Sequence, residues 1–101
     1  MSNTKVLYQN SETYLKGLLK NQLPTGNKFF LFGSRANGSA GFASDIDIGI
    51  WPQEPLNDTI LLKLQEIIED SFVPYQVDLV DFSKVSEQFK LQALKKIIPW
   101  N

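Results

Sequence analysis

Apolar residues recur along this chain at two spacings, and the switches between them mark its elements. From Ser11 to about Gln22, Tyr14, Leu15, Leu18 and Leu19 fall on one helical stripe. Ser11 is of the type that caps a helix start, and Glu12 follows in the first turn. Gly17 weakens the helix slightly, and Pro24 to Asn27 ends it. Upstream, within Met1 to Asn10, Val6, Leu7 and Tyr8 read as a short extended arm.

Lys28 to Phe32 is a short apolar run, the pattern of a buried strand. A Gly-rich loop from Ser34 to Ala43 follows, and the period then becomes two. Along Asp45 to Trp51, Ile46, Ile48 and Ile50 take one face while Asp45 and Asp47 take the other. Pro52 and Pro55 stop this strand. Asn57 caps a helix to about Phe72, with Ile60, Leu64, Ile67 and Ile68 facing inward. Pro74 breaks it, and Tyr75 to Phe82 forms a third strand. A last helix, about Ser86 to Ile98, presents Phe89, Leu94, Ile97 and Ile98, with Lys95 and Lys96 near its C-terminus, where the dipole favours cations. The pattern predicts one α/β domain over residues 1–101, a small mixed β-sheet with flanking helices.

A strand, helix and strand packed on one sheet favours two parallel strands joined by a crossover. The start of Tyr75 to Phe82 then lies at the same end of the sheet as Asp45 and Asp47. Asp78 is nearer that end than Asp81, and alternation puts the two on opposite faces. Asp78 is therefore the candidate third carboxylate, and Asp81 reads as an acid at a solvated strand end.

Candidate chemistry concentrates between Gly33 and Ile50. Gly33 and Ser34 stand between a strand and a short helix, where backbone N–H groups approach a phosphate closely and the helix N-terminus favours anions. Ser34 adds a hydroxyl donor and Arg35 a positive charge. Two carboxylates on one strand face suit a hard, oxygen-seeking cation such as Mg²⁺ that also bridges substrate phosphates. The implied reaction is nucleotidyl transfer. Phe29, Phe30 and Phe32 read as core instead of a base-stacking platform, since stacking platforms accompany basic grooves.

Composition narrows the choices. The chain has no cysteine and no histidine, which excludes disulfides, thiolate zinc sites and His general bases, so any metal must be held by oxygen. Ten basic and eleven acidic residues, interspersed, give a net charge of −1 and no basic face for nucleic acid. A DNA template is not expected. No segment is long and apolar enough to span a bilayer, and Met1 to Gln9 lacks the apolar stretch of a signal peptide, so the expected location is cytoplasmic.

The motifs GSRANG at Gly33 to Gly38 and SDIDI at Ser44 to Ile48 resemble the DNA polymerase beta-like nucleotidyltransferase superfamily, and within it the minimal nucleotidyltransferase (MNT) branch. The resemblance implies the polymerase beta-like fold and a site in which Gly33, Ser34, Arg35 and Ser44 bind nucleotide. In that site Asp45, Asp47 and Asp78 hold Mg²⁺ or Mn²⁺, with Asp78 also the general base. It further implies ATP as donor and a separately encoded helical HEPN-type protein as acceptor and partner. This chain would then be an antitoxin that places AMP on a tyrosine of that toxin, within a hetero-oligomer. Asn37 stands where the family usually carries a basic residue. Two other readings stay open: a binding module that neutralises its partner by contact, and a small-molecule nucleotidyltransferase completed by a helical subunit.

Overall fold

The computed structural model describes residues 3–101. Met1 and Ser2, the first two residues of the expected N-terminal arm, lie outside the described residues. The rest of that arm is helical: α1 runs Asn3–Gln22. Ser11 does not cap it. It sits fully buried in mid-helix, its hydroxyl donating to the Leu7 carbonyl at 2.9 Å. A hydroxyl that bonds the turn before it needs no helix start, so the local capping preference yields to packing. The stripe of Leu15 and Leu19 simply extends upstream through Ser11 to Tyr8.

Four strands form one mixed sheet in the order β3-β2-β1-β4. Strand β1 (Lys28–Phe32) pairs antiparallel with β2 (Ile46–Trp51), and β2 pairs parallel with β3 (Val77–Asp81). Between β1 and β2 lies a single-turn helix, α2 (Ser34–Asn37), inside what reads from sequence as loop. Helix α3 (Asp58–Glu69) connects β2 to β3, its first turn closed by Asn57, whose side chain accepts from the Thr59 N–H at 2.9 Å. It ends before Phe72 because Asp70 and Ser71 turn their N–H groups back onto Glu66 and Ile68.

Helix α4 (Glu87–Ala93) is capped by Ser86 and is shorter than its apolar pattern implies. Ile98 and Pro99 are not helical. They form β4, paired with Phe30 and Leu31 on the free edge of β1. The residue before a proline is disfavoured in the α region, and an edge strand tolerates proline's missing N–H. Asn101 prolongs this edge with its side chain, accepting from the Phe29 N–H and donating to the Asn27 carbonyl, each at 2.8 Å. Trp100 is partly buried and packs against the main core.

The two sheet faces have different work. One buries Phe29, Leu31, Ile46, Ile48, Ile50 and Val77 under α1 and α3. The other holds a smaller cluster of Phe30, Phe32 and Phe82, against which Phe89 of α4 packs edge-on. Gly49 makes room for that cluster, since a Cβ there would collide with the ring of Phe30 and stand 2.8 Å from Phe82. Each fully buried large side chain contributes roughly 1.5–3 kcal/mol. Among the described residues no helix is long and apolar enough to cross a membrane.

Candidate active site

The register of the sheet aligns Phe32, Asp47 and Asp78 in one row across β1, β2 and β3. In-register neighbours project to the same face, so both carboxylates emerge on the face that carries the phenylalanine cluster. Asp45 lies just before β2 and is exposed, as is Asp78. Gly33 follows Phe32 and turns the chain at φ 74°, a left-handed conformation that side chains rarely adopt. It also meets Asp47: a Cβ on Gly33 would collide with Oδ2 and lie 3.3 Å from Cγ. The turn and the carboxylate are therefore neighbours, and a side chain at Gly33 would both strain the backbone and displace the carboxylate.

Asp47 is the half-buried member of the acidic group. Burial pushes its carboxyl above the ordinary value, and the charges of Asp78 and then Asp45 push it further. Charge of one sign thus gathers on oxygen donors at one end of the sheet, which is the donor chemistry a hard cation takes. Among the described residues, however, no three acidic side chains stand as a ready-made cage. Asp47 and Asp78 are strand neighbours and Asp45 is within electrostatic reach.

Asp81 is excluded by position. It is 6% exposed, not solvated, on the opposite face from Asp78. Its Oδ1 accepts from the Ser83 N–H at 2.9 Å and hydroxyl at 2.6 Å, which fixes the turn after β3.

Ser34 opens α2 directly after the Gly33 turn, where the Gly33 carbonyl receives the N–H groups of Ala36 and Asn37. Arg35 and Ser44, read from sequence as nucleotide-binding, are occupied within the protein. The Arg35 guanidinium donates to the Ser44 carbonyl at 2.7 and 3.0 Å and to the Phe42 carbonyl at 3.2 Å. It is also sandwiched by Tyr8 and Tyr75, 4.4 and 4.8 Å from their ring centroids. Ser44 accepts from the Gly41 N–H at 2.8 Å. Together they brace the loop that delivers Asp45. Asn37 is exposed and accepts from the Ser39 N–H and hydroxyl, tightening the same loop.

Tyr8 and Tyr75, which flank Arg35, lie outside the motifs. Tyr8 is half-buried, and burial followed by the nearby Glu12 carboxylate raises its phenol well above the ordinary value, so it stays neutral against Arg35. The signal was available in the stripe Tyr8, Ser11, Leu15, which continues α1 upstream with helical spacing.

Comparison with known proteins agrees with this fold. The family described as "Polymerase beta, Nucleotidyltransferase" matches residues 14–99. A probable protein adenylyltransferase MntA of Haemophilus influenzae is 36% identical over 76 residues, covering 75% of this chain and 66% of that protein; the chain thus spans about two thirds of that relative's length. A solved structure of a toxin–antitoxin with AMP-PNP is 27% identical with a TM-score of 0.75, over 89% of this chain and 72% of that one. A tri-AMPylated Shewanella oneidensis HEPN toxin in complex with MNT antitoxin is 25% identical with a TM-score of 0.72, over 92% and 71%.

Proposed function

The chain belongs to the polymerase beta nucleotidyltransferase family, and from that premise we propose that it transfers AMP from ATP to a tyrosine hydroxyl of a HEPN-type partner protein, acting as antitoxin. The observation that carries the reading is the row of Asp47 and Asp78 set beside the Gly33–Ser34 turn. It joins a carboxylate pair to a tight backbone approach at one end of the sheet. The relatives support a protein acceptor: one is called a probable protein adenylyltransferase and another is an MNT antitoxin in complex with a tri-AMPylated HEPN toxin.

In this reading the acceptor oxygen attacks the α-phosphorus of ATP, and the bond from that phosphorus to the leaving pyrophosphate breaks. Asp78, exposed and on the site face, takes the hydroxyl proton. Gly33 admits the phosphates to the backbone, and Ser34 offers a hydroxyl to them. Asp45, Asp47 and Asp78 would hold Mg²⁺ or Mn²⁺, whose contribution when bound is to neutralise charge on the phosphates. Phe42, 75% exposed at the loop tip three residues from Asp45, offers the partner an apolar contact.

The direct test incubates the protein with α-labelled ATP, Mg²⁺ and a HEPN-type partner; label on a partner tyrosine is expected, and no transfer would overturn the reading. Contact-only neutralisation is the second reading, favoured by the open arrangement of the carboxylates. Asp47→Asn separates them. An enzyme keeps its partner and loses neutralisation, whereas a contact module keeps both.

A further inference from the structure

We propose that Lys95 and Lys96 bind the outer phosphates of the nucleotide, in a groove between α2 and the chain leaving α4; this rests on the nucleotidyl-transfer reading above. The groove measures ≈ 460 Å³ and is lined by Phe32, Gly33, Asn37, Phe89, Lys95 and Lys96. That is the size range of small-ligand clefts. Gly33 belongs to both places. It adjoins Asp47 and it borders the groove, so a phosphate chain that passes the Gly33 turn from the carboxylates enters the groove that Lys95 and Lys96 also line.

Charge supplies the reason for a ligand there. Asp45, Asp47 and Asp78 make this end of the sheet hostile to a polyanion unless cations stand nearby. Arg35, the cation of α2, directs its Nε and Nη2 donors at the Phe42 and Ser44 carbonyls, and Asn37 is neutral with its oxygen engaged by Ser39. Lys16, Lys84 and Lys90 pair with Glu12, Asp58 and Glu87. Among the described residues Lys95 and Lys96 enter no ion pair. They lie one and two residues past Leu94, the C-cap of α4, near the helix C-terminus as the sequence suggests. They are two free point charges on the rim of a groove that starts at the phosphate turn, the arrangement in which lysine contacts phosphate.

The experiment measures binding of Mg²⁺-ATP and of AMP to the full chain by calorimetry, for wild type, for Lys95→Gln with Lys96→Gln, and for Lys95→Arg with Lys96→Arg. The glutamine pair should weaken ATP binding by about tenfold or more, the loss expected for charge-assisted contacts, and AMP binding by about twofold or less. The arginine pair should restore ATP binding. Both positions are exposed, so melting temperatures should match wild type. Unchanged ATP affinity in the glutamine pair, or an equal loss for AMP, overturns the proposal. So does a loss confined to co-purification with the partner, which would make the lysines a protein contact. Wild type that binds no ATP would instead overturn the nucleotidyl-transfer reading itself.

Discussion

Gly33 faces the carboxylate of Asp47 so closely that an added Cβ would have to push that carboxylate aside. Gly33→Ala therefore incurs two costs, a left-handed φ and a collision with the carboxylate. Together these should destabilise the fold by about 1–3 kcal/mol and abolish transfer. Gly38→Ala is the control, because its φ is also positive, at 85°, but a Cβ there meets open space. It should cost only the backbone strain, roughly 1 kcal/mol. Urea unfolding of both variants decides the matter: equal losses would mean the contact with Asp47 carries no energy.

The raised Asp47 carboxyl makes stability depend on pH in the direction opposite to a salt-bridged acid. Burial, then Asp78 and Asp45, hold its proton in the folded chain to a higher pH than in the unfolded chain. Between the two pKa values the native state binds more protons, so stability falls as pH rises through that window and stays lowered above it. In chelator-treated protein, Asp47→Asn should thus be more stable than wild type at pH 7. The advantage should shrink as pH falls toward the unfolded carboxylate value of about 4. Unfolding curves across this range that run parallel for the two proteins would refute the assignment.

Much of this site was legible in the sequence, and what was not has a common cause. The bounds of β1, the cap Asn57, the start of the last helix at Ser86, the alternation of Ile46, Ile48 and Ile50 against Asp47, and the parallel placement of Asp78 all follow from local pattern and short connections. The misreadings depend on partners distant in the chain. Ser11 looks like a cap until its burial under the core is known. Ile98 and Pro99 continue a helical stripe on paper, but the open edge of β1 takes them as a strand. Asp81 looks solvated because nothing local shows how the turn at Ser83 encloses it.

Metal binding should be visible as stability, because a ligand that binds only the folded state stabilises it by mass action. Mg²⁺ or Mn²⁺ with ATP should raise the melting temperature of wild type, with the rise reduced in Asp45→Asn. Asp45 is exposed and precedes β2, so the amide should not disturb packing. A rise of equal size in both proteins would place the ion elsewhere.

Arg35 offers the sharpest contrast between a motif and its setting. By position after Ser34 it reads as a phosphate ligand, yet its guanidinium holds the Phe42 and Ser44 carbonyls between two tyrosine rings. Lysine keeps the charge but loses the planar fork that reaches two carbonyls and stacks on rings. If Arg35 works by bracing the loop before Asp45, Arg35→Lys should bind ATP without metal nearly as wild type does. The same variant should lose transfer rate by about tenfold or more, since misplacing one ligand by a fraction of an ångström is costly. Tyr75→Leu should reproduce this pattern, because it removes one stacking ring and no phosphate donor. A phosphate ligand predicts the reverse order, with metal-free ATP affinity lost in Arg35→Lys and retained, along with transfer, in Tyr75→Leu. Calorimetry paired with single-turnover transfer on both variants distinguishes the two.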